Sequence, residues 1–367
     1  MNTKTANAPP DSLVEQWIRP QVRALSAYHV PEIGNLIKLD AMENPYTWPK
    51  PLVDEWLEVL RDAKWNRYPD PHACDLKILL RATLNVPQGM EIMLGNGSDE
   101  LIQIIAMAVA APGRAVLTPE PYFSMYRMIA AVTGLEFVCV PLNASDYSLD
   151  MPAMRAAIIR HRPAVVFLSY PSNPTGNLFD EQQVCELIEI SPGLVVVDEA
   201  YNAFAGSTFM SRLAQYDNLL VLRTLSKMGL AGLRMGVLAG SPAWLNELDK
   251  IRLPYNISVL TQASAGFALR HYDVLEAQAA RLRDNREQLL TALRALNGIT
   301  VYPSRANFIL FRVPAGRAPQ IFESIKAQGV LIKSMHGASA LLADCLRVTV
   351  STPEENQAFL KALEHAL

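Results

Sequence analysis

The chain is poor in cysteine, has no long apolar run and carries no block of like charge, and each shortage argues against a class of protein. Its four cysteines, Cys74, Cys139, Cys185 and Cys345, stand far apart without CxxC spacing. That pattern fits unpaired thiols in a reducing compartment better than a disulfide or zinc framework, so no metal is expected. The longest apolar stretch, Leu101 to Ala111, is interrupted by Gln103 and falls far short of the roughly 20 residues that cross a bilayer. Lys and Arg number 33 against 36 Asp and Glu, a net charge of −3, so the basic footprint of a nucleic-acid binder is missing. No Gly-Lys pair occurs anywhere, which removes the GxxxxGK[ST] phosphate loop of nucleotide hydrolases. The opening MNTKTANAPPDSLVEQW lacks the apolar core and cleavage site of a secretory signal. A cytoplasmic protein with small-molecule partners is expected.

What is present is length and pattern. A chain of 367 residues, 50% of them hydrophobic, can bury a large core and a smaller companion. From Arg114 to Gly240 short β-branched runs (AVLTP, EFVCVP, AVVFLSYP, LVVVDEAY, NLLVLRTLS, MGVLAG) alternate with helical stretches. Such alternation predicts an α/β fold whose mostly parallel sheet is buried on both faces. A helical region from about Thr261 to Leu296 leads to a smaller α+β unit with ITVYPS, NFILFRV, GVLIKS and CLRVTVS as strands. The expected division is an amino-terminal arm over 1–45, a large domain over 46–260, and a linking helix with a small domain over 261–367.

Ligands of open α/β sheets gather beyond the carboxyl ends of the strands, where four motifs fall: GNGSDE (Gly95–Glu100), SNPTG (Ser172–Gly176), VVVDEAY (Val195–Tyr201) and TLSKMGLAGLRMG (Thr224–Gly236). Together they supply what pyridoxal 5'-phosphate requires. Lys227, in a Ser-Lys pair followed by Gly229 and Gly232, is the amine that condenses with the cofactor aldehyde; desolvation favours its neutral form. Asp198 is the acid for the pyridine nitrogen, which makes the ring an electron sink. Asn173, set between Pro171 and Pro174, and Tyr201 are donors for the ring oxygen. Gly97, Ser98 and the backbone N–H of Asp99, at the start of an apolar helix, form an anion cradle, completed by Ser226 and Arg234. Tyr122 is a stacking aromatic. Simpler alternatives exist for several: an Asx turn at Asn173, a structural ion pair at Arg234, a core tyrosine at position 122. A dinucleotide fingerprint fails because Glu100 replaces the third glycine of GxGxxG.

With these residues the chain resembles the fold-type I pyridoxal-phosphate aminotransferases, specifically the histidinol-phosphate aminotransferase family. SNPTG and SKMGLAGLR carry the wider resemblance; DAMENPY (Asp40–Tyr46), NRYPD (Asn66–Asp70), ANFILFR (Ala306–Arg312) and CLRVTVSTPEEN (Cys345–Asn356) carry the narrower one. The resemblance implies a seven-stranded large domain and a homodimer in which Tyr68 reaches the cofactor phosphate of the neighbouring subunit. It implies that Arg347 receives substrate anions, that Tyr28 lies over the substrate, and that histidinol phosphate and 2-oxoglutarate are the amino donor and acceptor. Lys333 departs from the family pattern, standing where a second arginine is common; it keeps the charge and loses the planar fork. An aromatic aminotransferase, a decarboxylase of a phosphorylated amino acid and a non-catalytic ligand sensor are the alternatives.

Overall fold

The computed structural model describes residues 10–27 and 34–367. After a short strand β1 (Ile37–Lys38), seven strands make one sheet: β2 (Glu91–Asn96), β3 (Ala115–Glu120), β4 (Glu136–Pro141), β5 (Val165–Ser169), β6 (Leu194–Asp198), β7 (Leu219–Thr224) and β8 (Met235–Gly240). Their order is β2-β8-β7-β6-β5-β3-β4. Pairing is parallel from β7 through to β4, whereas β8 runs antiparallel to both β7 and β2. One strand is thus reversed, and the carboxyl ends of the other six open onto a single edge.

The apolar runs become strands because both of their faces are covered. In β6, Val195 and Val197 join Val184, Leu187 and Ile188 of the helix Glu181–Ile190 on one side. Val196 joins Leu101, Ile105 and Ile129 from the helices Ser98–Val109 and Ser124–Thr133 on the other. This is the two-residue alternation of a strand with hydrophobic partners on either face. Polar residues punctuate the pattern: Asp150 and Asp180 accept the N–H groups of Ala153 and Gln183 as helix N-caps, and Gly134, at φ 80°, ends the helix before it.

Two sequence expectations change in detail. Strand β2 was not among those expected: its apolar core is only Ile92 to Leu94, between Glu91 and the weak strand formers Gly95 and Asn96. The helical region after residue 260 is two helices, Val259–Arg270 and Tyr272–Ala295, broken at His271, whose φ −113° and ψ 37° leave the helical region.

The remaining strands are β9 (Thr300–Val301), β10 (Phe308–Arg312), β11 (Val330–Leu331), β12 (Lys333–Ser334) and β13 (Cys345–Thr349). Four form an antiparallel sheet in the order β12-β13-β10-β9, while β11 pairs in parallel with β1. That pairing anchors the segment after β1 to this second sheet: Met42 N donates to Thr349 Oγ1 at 3.0 Å and Asn307 Nδ2 donates to Met42 O at 3.0 Å. Residues 41–43 are thereby held at the mouth of the large-sheet edge. Among the described residues, no helix is long and apolar enough to cross a membrane.

Candidate active site

A cavity of about 230 Å³ lies at the carboxyl edge of the large sheet, bordered by Asn173, Asp198, Tyr201, Ser226, Lys227 and Arg234 among others. Three arrive from successive parallel strands: Asn173 beyond β5, Asp198 as the last residue of β6, and Lys227 in the 3-10 turn after β7. Arg234 arrives by the opposite route. It immediately precedes β8, the one reversed strand, whose beginning therefore meets the same edge at which the others end.

Asp198 is fully buried, and burial raises its carboxyl to about 6 although two hydrogen bonds oppose the change. Its Oδ2 accepts Tyr126 Oη–H at 2.6 Å and its Oδ1 accepts Ala200 N–H at 3.1 Å. Lys227 Nζ donates to Ala41 O at 3.1 Å and lies 5.8 Å from the Tyr201 ring centroid. Burial, then the positive charge of Arg347, lowers this lysine to about 8. At pH 7 roughly a tenth of such a group is the neutral amine, several hundred times more than for a lysine at 10.5. Asn173 links the remaining groups: its Nδ2 donates to Tyr201 Oη at 3.1 Å, and its Oδ1 accepts Arg347 Nη1–H at 2.6 Å. Arg347 Nη2 also donates to Asp40 O at 3.1 Å.

The opposite end of the cavity is built for close approach. Gly97, at φ 83°, donates its N–H to Arg234 O at 2.6 Å, and a Cβ placed on it would lie 2.5 Å from Arg234 Nη2. Arg234 faces Asp99 Oδ2 at 3.4 Å, and Ser226 Oγ accepts Thr224 Oγ1–H at 2.9 Å. The two acids of GNGSDE behave differently. Glu100 is turned aside, accepting Asn96 N–H at 2.6 Å and Asn256 Nδ2–H at 2.8 Å, while Asp99 stays at the rim with Arg234 as counter-ion.

One aromatic assignment is corrected. Phe123, not Tyr122, lines the cavity containing Asp198, whereas the Tyr122 ring packs edge-on against Phe137 at 4.9 Å. Neighbours in the turn after β3 point in different directions, and the motif alone did not say which faces the ligand. Tyr126 was missed altogether. It lies on the helix Ser124–Thr133, buried, stacked on Phe167 at 4.7 Å. Its signal was an aromatic three residues beyond Phe123, on the same helical face. Tyr68 does not line this chain's cavity; it is 80% exposed and stacks on Tyr255 at 4.5 Å. Lys333 and Arg347 are opposite each other in register on β12 and β13 and border an adjoining cavity. Tyr28 lies outside the described residues.

These groups fit pyridoxal 5'-phosphate on their own chemistry. A buried carboxylate ends in the cavity, two donors sit together, a lysine has its neutral form within reach, and the Gly97–Arg234 approach leaves an anion cradle that a Cβ would fill.

The model for aminotransferase class I and II matches residues 34–363. Histidinol-phosphate aminotransferase 2 of Nitrosococcus oceani is 60% identical over 96% of this chain and 97% of that one. The Chromobacterium violaceum histidinol-phosphate aminotransferase is 51% identical over 96% and 98%. Among solved structures, the Sinorhizobium meliloti histidinol-phosphate aminotransferase, in complex with pyridoxal-5'-phosphate, superposes with a TM-score of 0.84 at 24% identity, covering 95% of this chain and 97% of that one; this last likeness concerns the fold. With sequence matches of this extent joined to the geometry above, the chain belongs to the class I and II aminotransferases and, within them, to the histidinol-phosphate aminotransferase family.

Proposed function

We propose that this aminotransferase moves the amino group of L-histidinol phosphate to 2-oxoglutarate, with pyridoxal 5'-phosphate as cofactor. The observation that carries the reading is the convergence of Lys227, Asp198, Asn173 and Tyr201 on one cavity in a chain so similar to its named relatives. Lys227 holds the aldehyde end, Asp198 the ring nitrogen, Asn173 and Tyr201 the ring oxygen. Gly97, Ser98, Asp99 N–H, Ser226 and Arg234 hold the phosphate, and Phe123 covers a ring face. The bound cofactor supplies an electrophilic carbon for amino groups and a ring that spreads negative charge from the substrate α-carbon.

The chain's own residues do the rest. Lys227 Nζ, near 8, takes up and returns a proton close to neutral pH, the property required of a general base and acid. Asp198, already hydrogen-bonded on both oxygens, presents a fixed negative charge in a dry site, where charge acts at its strongest. Tyr201 Oη is oriented by Asn173, and Asn173 in turn by Arg347, so substrate-anion binding at Arg347 and ring-oxygen binding at Asn173 share one rigid chain of contacts. Arg347 and Lys333 take the anionic end of the substrate. Tyr28 belongs over the substrate in the same reading.

The reading includes a cytoplasmic homodimer in which Tyr68 of a second copy reaches the phosphate end. Support comes from the exposure of Tyr68 outside its own cavity and from the unpaired cysteines. The test is reconstitution with pyridoxal phosphate followed by titration with histidinol phosphate. A visible band bleached by that donor, and glutamate formed when 2-oxoglutarate is added, are expected. Release of carbon dioxide without need for an oxo acid, or bleaching by phenylalanine as readily as by histidinol phosphate, would overturn the assignment.

A further inference from the structure

Beside the cofactor cavity lies a second one of about 320 Å³, sharing Met42, Phe123 and Asn173 with the first. We infer that Arg127, which lines it, is a specificity-determining residue: with Lys333 and Arg347 it receives the distal phosphate monoester of the amino donor. The inference rests on the proposed function and adds to it a residue that no sequence motif marked.

Three elements deliver the three cations. Lys333 and Arg347 are direct cross-strand partners on β12 and β13, so their side chains leave the same face. Arg127 comes from the helix Ser124–Thr133, one turn beyond Ser124, which lines the same cavity. The lining contains a single acid, Glu120, and its Oε2 accepts Cys139 Sγ–H at 3.6 Å. Among the described residues, neither the Arg127 nor the Lys333 side chain makes a hydrogen bond or ion pair, in contrast to the ion-paired Arg155 and Arg212 on the surface and the largely buried Arg223. Like charges directly across a sheet are destabilising. Two cations, Arg127 and Lys333, without side-chain counter-ions on a concave wall that the engaged Arg347 also borders, make the arrangement an incoming anion neutralises.

Chemistry then separates the roles. Arg347 is already engaged with Asn173 and Asp40 O at the junction of the two cavities. Lys333 offers a compact charge without a fork. Arg127 restores the planar, two-pronged donor that a phosphate accepts in parallel hydrogen bonds. A monoester at neutral pH carries a charge between −1.5 and −2 with three acceptor oxygens, matching a site of three cations better than a hydroxyl would.

The experiment compares histidinol phosphate with unphosphorylated histidinol as amino donors, using holoenzyme, for wild type, Arg127→Ala, Arg127→Lys and Arg127→Ala with Lys333→Arg. Loss of a charge-assisted contact raises the KM for histidinol phosphate in Arg127→Ala by about 10–100-fold. The kcat changes little, and kcat/KM for histidinol is unaltered. Arg127→Lys falls between, and the added Lys333→Arg recovers part of the loss, a rescue that a purely structural role would not give. If Arg127→Ala lowers kcat/KM equally for both donors, or leaves the preference for the phosphorylated donor intact, the inference is wrong while the proposed function stands. If the wild type itself draws no distinction between the two donors, the proposed function fails first.

Discussion

Tyr126→Phe is the substitution that isolates one atom of the site. The phenol oxygen donates to Asp198 Oδ2 at 2.6 Å in a fully buried setting, and the ring is held by its stack on Phe167 at 4.7 Å and 12°. Phenylalanine keeps the stack and removes only the donor. A hydrogen bond to a charged group is worth about 1.5–3 kcal/mol, which corresponds to a change of about 10–100-fold in the acidity of the carboxyl. The direction follows from the present state of the group: burial has already raised Asp198 to about 6, and the Tyr126 bond is the larger of the two that pull it back. Without it the carboxyl titrates higher, and the carboxylate is less available at neutral pH to hold a proton on the ring nitrogen. Two measurements test this. Spectrophotometric titration of the apoenzyme should give a pyridoxal-phosphate Kd about 10-fold or more weaker, and the acidic limb of the kcat profile should move to higher pH. An unchanged Kd together with an unmoved acidic limb would refute the claim that Tyr126 positions Asp198. A loss of kcat alone, at an unaltered pH profile, would point to misplaced packing instead.

Three further outcomes are expected. Lys227→Ala removes a general base worth about 10²–10⁴-fold by itself, so steady-state turnover should be nearly abolished and no borohydride-reducible bond to the cofactor should form; near-wild-type turnover would exclude the lysine role. Asp198→Asn should collapse turnover and yet stabilise the cofactor-free protein at pH 8. The gap between 3.8 and about 6 corresponds to about 3 kcal/mol. Wild-type stability is lost as pH rises through that window, so urea midpoints should coincide near pH 4, separate between about pH 4 and 6, and stay apart above it. Gly97→Ala places a Cβ 2.5 Å from Arg234 Nη2 at a φ of 83°, so cofactor affinity should fall by about 10-fold or more, read by the same titration; wild-type affinity would show that the Gly97–Arg234 approach does not shape the cradle.

The large sheet was legible because its signal is redundant. Runs such as Val195–Val197 are apolar on both faces, bounded by turn residues and spaced by amphipathic helices, so period, length and flanks agree. Where the signals disagree, reading faltered. Strand β2 offers three apolar residues flanked by poor strand formers, and it is stabilised by six paired positions along β8 that lie more than a hundred residues away. The break at His271 is likewise invisible in composition, because Ala, Leu, Arg and Gln continue unchanged across it.

The site divides along a similar line. Lys227, Asp198 and Asn173 could be found because each lies at or just beyond the carboxyl end of a strand of one sheet, and strand ends converge by topology whatever the side chains do. Phe123, Tyr126 and Arg127 belong to one turn and one helix, where 100° of rotation per residue decides whether a side chain meets the ring, the acid or the substrate. Tyr122 and Phe123 are both aromatic, so residue type could not choose between them, and only the packing of Tyr122 on Phe137 does. Tyr126 and Arg127 are neighbours with opposite fates, one buried against Asp198 and the other exposed at the second cavity. On the proposed reading a single helix serves both ends of the site, Tyr126 holding Asp198 and Arg127 bordering the cavity assigned to the substrate. Shifting its register by one residue would move both functions at once, which is why a one-residue insertion between Phe123 and Tyr126 should cost cofactor affinity and donor discrimination together. Losing only one of the two would break the link between them.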